Sequence, residues 1–118
     1  MRQIRNAERI ATRLNARILE STQPVPAVVT NLSASGAELR IAGAARRVTD
    51  ALAIELILEV HEVRTPVLVN AVIRNVSEVA DADGFNYGVQ FVDVNPQVNI
   101  FLKSFVYQNL VEQPHKRL

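Results

Sequence analysis

Two arginines near the start of the chain, Arg5 and Arg9, form the first group of residues that could do chemistry. The planar guanidinium of arginine can bind a phosphate, or the O6/N7 edge of guanine, through two parallel hydrogen bonds. Residues four apart can reach the same anion from an extended arm or from one face of a helix. The first seventeen residues hold five arginines and no lysine, which favours shaped recognition over a generally basic surface.

The second group is the segment Asn31-Leu-Ser33-Ala-Ser35-Gly36. Asparagine and serine at a strand end can hydrogen-bond the backbone or a ligand, and glycine permits a positive φ or a close approach. Each group also has a plainer interpretation when taken alone. The arginines would then be a solvated basic arm, and the second segment an ordinary turn between two strands.

The remaining residues give no support for catalysis. His61 stands between Glu59 and Glu62, and His115 lies near the end of the chain, whereas metal sites need more converging ligands. The chain has no cysteine, which excludes disulfides, thiolate zinc sites and a cysteine nucleophile. Neither a serine with an evident histidine partner nor a glycine-rich phosphate loop is present. We therefore expect a binding protein that is not an enzyme and needs no metal or cofactor.

Length and charge narrow the class of protein further. The 118 residues suit one domain, and a hydrophobic fraction of 48% is enough to bury a core without disulfides or a structural metal. A net charge of +1 argues against a general polyanion binder. Residues 1–47 nevertheless hold eight arginines against three glutamates, whereas residues 48–93 hold two arginines against eight acids. The basic charge is thus concentrated in the first part of the chain.

Targeting signals are not visible in the sequence. No apolar run approaches the roughly 20 residues of a membrane span, and the charged first ten residues lack the apolar region of a signal peptide. We expect a cytoplasmic protein, or the cytoplasmic domain of a membrane-attached one.

Apolar residues alternate with polar ones through most of the chain, which predicts half-buried β-strands. Thr22–Pro26 is predicted to be a turn, because two prolines do not fit a central strand. Between Pro66 and Val79 the apolar residues change face partway, which predicts a bulge or a strong bend. The predicted strands cover residues 10–18, 27–31, 37–41, 51–60, 66–79 and 85–91.

After Asp93 the hydrophobic period changes from two to that of a helix. Asn95 and Pro96 suit an N-cap and the first helical position. The apolar stripe of this predicted helix, which ends near Glu112, is Val98, Phe101, Leu102 and Phe105.

The predicted fold is mostly β: a closed or nearly closed six-stranded antiparallel barrel with a C-terminal α-helix over its end or side. The whole chain forms one domain in this prediction. Residues 1–9 would be an N-terminal ligand-binding arm, residues 10–93 the barrel, residues 95–112 the helix and residues 113–118 a tail.

The two groups occur together, in this order, with the arginines directly before a strand and about twenty residues ahead of the second group. This combination, on a β-rich chain with a terminal helix, resembles the PilZ domain family. The segment Tyr87-Gly-Val-Gln-Phe91-Val-Asp is also similar to the last strand of that family, so the resemblance covers nearly the whole chain. It implies a six-stranded barrel that binds the ligand cyclic di-GMP.

The resemblance also implies which residues bind. Arg5 and Arg9 would hold phosphate and guanine, while Asn31, Ser33 and Gly36 would contact the face and edge of the other guanine.

The choice of arginine pair rests on the start of the first strand. Arg9-Ile-Ala-Thr-Arg13 fits the same spacing, but the second arginine of the family motif stands immediately before the alternating strand, which begins at Ile10. Arg13 then falls on the polar face of the strand, either as a solvated residue or with an accessory role in binding. Arg74, on the long fifth strand, is a further candidate, because a guanidinium plane can stack on guanine.

The implied function is a bacterial receptor that relays cyclic di-GMP to a partner protein or an attached domain and regulates exopolysaccharide synthesis, motility or virulence. The alternative is a degenerate PilZ-like protein-interaction module without nucleotide binding. Asn31 stands where the family more commonly has aspartate, and the loss of charge weakens a bond to guanine.

Other partners follow from composition. Binding of a nucleic acid polymer is disfavoured because aromatic residues make up only 5% of the chain and most fall on core positions. The apolar C-terminal helix could form a homodimer interface as easily as cover the barrel. We expect membrane contact only through a partner or a missing segment.

Overall fold

The computed structural model describes residues 8–20, 22–79 and 83–112. Within these ranges, six antiparallel strands form a closed barrel in the order β1-β2-β3-β6-β5-β4, and one helix follows them. The predicted fold class, a six-stranded antiparallel barrel with a C-terminal helix, is confirmed. The elements are β1 (Arg9–Ile18), β2 (Val25–Ser33), β3 (Gly36–Ile41), β4 (Ala51–Val60), β5 (Val63–Glu78), β6 (Phe85–Val92) and α1 (Pro96–Glu112).

The core lies inside the barrel, where the alternation of each strand directs its apolar side chains. In β4, Leu52, Ile54, Leu56 and Leu58 are all buried, as their spacing predicts. A short pairing between β1 and β4 closes the ring, so no strand of the sheet keeps a free edge along its whole length. The barrel can therefore present a rigid outer surface.

Two strands begin earlier than the sequence predicted, and each contains a proline. β2 begins at Val25, inside the predicted turn Thr22–Pro26, and β5 begins at Val63, three residues before the predicted start. β2 already includes Pro26, and β5 includes Pro66. Each proline pairs with a neighbouring strand on one side only: β3 pairs with β2 from Ala27 onward, and β6 pairs with β5 only from Asn70. No strand pairs with the second side of either proline, so on that side the missing N–H interrupts no ladder of hydrogen bonds between strands.

The fifth strand contains the predicted change of face. Ile73 pairs with Val89 of β6, but the next pair is Asn75 with Gly88, so Arg74 is an extra residue in β5. An extra residue reverses the side of the sheet that the following side chains face. The predicted bulge is thus confirmed.

The second strand contains a similar irregularity that the sequence did not suggest. Val29 pairs with Leu39 of β3, and the next pair is Asn31 with Glu38, which leaves Thr30 as an extra residue. Without it, Asn31 would share the inward direction of Val29. The bulge instead turns Asn31 to the outer face of the barrel and lets Leu32 become fully buried.

The C-terminal helix starts as predicted, with Asn95 as its N-cap. The Asn95 side-chain oxygen accepts a hydrogen bond of 2.8 Å from the backbone N–H of Gln97, and its carbonyl accepts one from Asn99. Leu102 and Phe105 are buried against the barrel, and α1 contacts β1, β2, β4 and β5. In the parts of the chain that the structure describes, no helix is long and apolar enough to cross a membrane. Most of the predicted arm (residues 1–9) and the tail (residues 113–118) lie outside the described residues.

Docking of the helix can be tested with two aliphatic residues of α1. Leu102 is fully buried, whereas Ile100 is 64% exposed. We expect Leu102→Ala to lower the free energy of unfolding by about 2–5 kcal/mol in urea titrations, because it removes buried methyl groups and leaves a cavity. Ile100→Ala is the matched control and should cost less than about 1 kcal/mol. Equal costs would contradict the packing of α1 described here.

Candidate functional site

Five of the residues singled out in the sequence line one open cavity of about 290 Å³ on the outer face of the barrel. They are Arg9, Asn31, Ser33, Gly36 and Arg74. The cavity lies where β1 begins and β2 ends, and it extends across the start of β3 to the middle of β6 and β5. We call it the outer-face cavity.

Two further residues from the sequence prediction do not contribute to this lining. Arg5 lies outside the described residues. Arg13 is exposed on β1 and is not part of the described cavity wall. Thr12 and Arg13 together stand opposite the single residue Thr30 of β2, because the β1–β2 pairing shifts between Ala11 and Leu14.

The strand register places several lining residues opposite one another on neighbouring strands. Asn31 pairs with Ala11 of β1 on one side and with Glu38 of β3 on the other. Glu38 in turn pairs with Gly88 of β6, and Gly88 pairs with Asn75 of β5. One row of residues thus crosses five strands. Side chains opposite each other on neighbouring strands are about 5 Å apart, so this row can present several groups to one ligand.

Ser33 has a structural role in the turn between β2 and β3. Its hydroxyl oxygen lies 3.1 Å from the backbone nitrogen of Ser35 and 3.2 Å from that of Gly36, and it accepts a hydrogen bond from each of these N–H groups. The Ser33 side chain is itself buried. The hydroxyl therefore contacts the backbone, as the sequence allowed, and its contact with a ligand stays a prediction.

Two glycines of the cavity lining are closely approached by neighbouring atoms, Gly36 by the backbone of β6 and Gly88 by the movable side chain of Asn75. A Cβ atom at position 36 would lie 2.4 Å from the carbonyl oxygen of Val89 in the adjacent strand. One at position 88 would lie 2.6 Å from the side-chain oxygen of Asn75, which rests over Gly88. Gly36 does not have a positive φ, so the close approach is the reason for glycine there.

Arg74 is oriented by a neighbour on β6. Its Nε donates a hydrogen bond of 2.8 Å to Oε1 of Gln90, and both side chains are exposed. Within the described residues, the terminal nitrogens of Arg74 make no hydrogen bond, and Arg9 has no side-chain partner either. Two guanidinium groups are therefore available to an anion or a planar ring at this cavity.

Several lining residues were not singled out from the sequence as binding residues: Glu38, Asn75, Gly88 and Gln90. Strand alternation already indicated that Glu38 and Gln90 face outward. It could not show that they lie near each other, because β3 and β6 are adjacent in the barrel but far apart in the sequence. The signal that was missing is the order of the strands.

The charge of the cavity favours one kind of ligand. The described lining holds two arginines and one glutamate, a surplus of one positive charge. No group of three or more histidine, aspartate or glutamate residues within the described ranges could hold a metal ion. His61 is exposed in the turn between β4 and β5, away from this cavity. The surplus of positive charge suits a small anionic ligand.

Comparison with known proteins agrees with this fold. The family model of the PilZ domain matches residues 3–108, and the chain therefore belongs to the PilZ domain family. This confirms the resemblance that the two sequence groups indicated. No curated protein sequence matches the chain significantly.

Three solved structures are similar in fold. The Bacillus subtilis inhibitor of motility MotI/DgrA has a TM-score of 0.83 and 17% identity, over 94% of this chain and 53% of that one. The PilZ domain of YcgR from Escherichia coli, solved with c-di-GMP, has a TM-score of 0.75 and 18% identity over 98% of both chains. The MrkH–c-di-GMP complex of K. pneumonia has a TM-score of 0.77 and 15% identity, over 97% of this chain and 56% of that one. The chain thus spans about half the length of MotI/DgrA and of MrkH.

The structural role of Ser33 can be separated from any contact with a ligand by measuring stability alone. We expect Ser33→Ala to lower the free energy of unfolding by about 1–3 kcal/mol, because two backbone N–H groups lose their acceptor. Ser35→Ala is the control, since its side chain is exposed and its hydroxyl contacts only that of Ser33. It should change stability by less than about 0.5 kcal/mol. Chemical denaturation gives both values, and an unaffected Ser33→Ala variant would contradict this role.

Proposed function

We propose that this chain is a receptor domain for cyclic di-GMP, and not an enzyme, and that it binds the nucleotide in the outer-face cavity. The observation that carries the proposal is that Arg9, Asn31, Gly36 and Arg74, which lie on four different strands, line one cavity. Two of the fold neighbours, the PilZ domain of YcgR and MrkH, were solved with this nucleotide. The proposal assigns the ligand of those relatives to the outer-face cavity of this barrel.

The chemistry of the ligand fits the side chains available. Cyclic di-GMP carries two phosphate charges, two purine faces and two guanine edges. Arg9 would bind phosphate or the guanine O6/N7 edge bidentately, and Arg74, which Gln90 orients, would stack its guanidinium plane on a guanine. The Asn31 amide can donate and accept at a guanine edge. Several such contacts, less the cost of ordering, correspond to roughly micromolar affinity.

Arg5 completes the proposed site from outside the described residues. Arg9 is the first residue of β1, pairs with Ser33 and lines the cavity, and Arg5 precedes it by four residues in the sequence. We propose that the ligand draws Arg5 to the same side and thereby fixes residues 1–9 across the barrel face. Arg13 keeps only an accessory role in this proposal, since it is absent from the described cavity wall.

The signal would be read through the altered arm and barrel face by a partner protein or an attached domain. An attached domain is consistent with relatives that are about twice as long as this chain. We propose regulation of motility, exopolysaccharide synthesis or virulence as the output, and the name of MotI/DgrA, an inhibitor of motility, supports the first of these. We place the receptor in the cytoplasm, where guanine nucleotides are made.

Calorimetric titration with cyclic di-GMP tests the proposed site. We expect Arg9→Ala and Arg74→Ala each to weaken binding by about 1–3 kcal/mol, which corresponds to roughly 5- to 150-fold in Kd. Arg64→Ala is the matched control, because Arg64 is exposed on β5 but does not line the cavity. GMP serves as the control ligand. A wild-type chain that binds no cyclic di-GMP would instead favour the degenerate interaction module.

Hydrogen exchange tests the proposed arm. We expect the amides of residues 1–10 to exchange more slowly when cyclic di-GMP is bound, because closure over the ligand protects them from water. An Arg5→Ala variant at saturating ligand should lose part of that protection while the β4–β5 hairpin exchanges as in the wild type. Equal exchange of residues 1–10 with and without ligand would refute the arm mechanism and leave the cavity proposal standing.

A further inference from the structure

Glu38 is the single acidic residue in the described lining of the outer-face cavity. It stands on β3, paired with Asn31 on one side and Gly88 on the other, and its side chain is exposed on the outer face. Its backbone carbonyl accepts a bond from Thr30, but its carboxylate has no partner among the described residues. The strand therefore fixes the backbone of Glu38 at the cavity, and the carboxylate is available to a ligand.

A carboxylate in this position conflicts with the charge of the proposed ligand. Two like charges 4 Å apart repel by about 1 kcal/mol in water and about 4 kcal/mol at the effective dielectric constant near a protein surface. Arg9 and Arg74 attract phosphate, whereas Glu38 repels it. The conflict is removed if Glu38 meets a part of the ligand that donates hydrogen bonds.

Guanine has one such part, its Watson–Crick edge. There N1–H and the N2 amino group donate side by side, and a carboxylate can accept both bonds at once. Adenine presents an unprotonated N1 at the same place, whose lone pair would face the carboxylate. An amide such as that of Asn31 or Asn75 can rotate to suit either base, whereas a carboxylate only accepts.

We infer that Glu38 reads the Watson–Crick edge of one guanine and makes the cavity selective for guanine over adenine cyclic dinucleotides. This inference rests on the proposed function and adds a specificity-determining residue to it. Arg9 and Arg74 supply charge and stacking, which any purine cyclic dinucleotide could use. Glu38 supplies the contact that distinguishes the bases.

The test compares three nucleotides with wild-type protein and Glu38→Gln by calorimetric titration of the full chain. The nucleotides are cyclic di-GMP, cyclic di-AMP and cyclic di-inosine monophosphate, which keeps N1–H but lacks the amino group. We expect the wild type to prefer cyclic di-GMP over the inosine analogue by about tenfold, the size of one good base contact. In Glu38→Gln, the preference over both other nucleotides should fall by about tenfold, mainly through weaker binding of cyclic di-GMP.

Glu59→Gln is the matched control, because it makes the same chemical change at an exposed strand position outside this cavity. Its preferences should equal those of the wild type. The ratio of affinities is insensitive to partial unfolding, since a smaller folded fraction weakens all three nucleotides alike. Poor folding of Glu38→Gln would therefore not imitate the expected result.

Three outcomes would overturn the inference. Glu38→Gln could weaken all three nucleotides equally, which would give Glu38 a structural role, or strengthen all three, which would make it only a repulsive charge. Unchanged preferences in Glu38→Gln, with cyclic di-GMP still bound, would overturn the inference alone. A wild-type chain that binds none of the three would overturn the proposed function together with it.

Discussion

Strand alternation inside a closed apolar barrel is the constraint on which the site depends. Each strand sends alternate side chains into the core, so a polar residue two positions after a buried one would also point inward. Thr30 and Arg74 break this rule as extra residues in β2 and β5, and they turn Asn31 and Asn75 to the outer face. Both bulges lie at the level of the row that crosses five strands. β3 and β6 lie between the two bulged strands, and the outer-face cavity spans all four, with Asn31 and Asn75 in its lining.

Ser33, Gly36 and Gly88 fix the backbone around the cavity. The turn after β2 is tied by the Ser33 hydroxyl, and Gly36 lets the start of β3 approach β6 closely. Gly88 leaves space that the Asn75 amide occupies. Exposed charges contribute little affinity one at a time, because water screens them. Groups fixed on a rigid ladder lose less conformational freedom on binding, which is how weak surface contacts can add up to useful affinity.

Much of this could be predicted from the sequence because the relevant signals are local. Period-two alternation located the strands, Asn95 indicated the helix start, and the change of face after Pro66 indicated the bulge in β5. The two sequence groups indicated the family. The bulge at Thr30 left no comparable signal, because the apolar run around Val29 and Leu32 fits either direction.

What could not be predicted depends on contacts between distant segments. Pro26 fits inside a strand only because β3 pairs from the next residue onward. Glu38 and Gln90 belong to the cavity only because β3 and β6 are neighbours. A single sequence contains the alternation of each strand but not the order of strands around the barrel. It therefore identified Gly36 but not Gln90, which pairs with it across β3 and β6.

The central claim is that one outer face, built around the two bulges, binds a purine cyclic dinucleotide. Titration of the ¹⁵N-labelled chain with cyclic di-GMP, followed by amide chemical shifts, tests it most directly. We expect the shifts to concentrate at Asn31, Gly36, Glu38, Gly88 and Gln90, while the turn between β4 and β5 stays unchanged. Shifts centred on that turn and the facing side of α1, or no shifts at saturating nucleotide, would contradict the account.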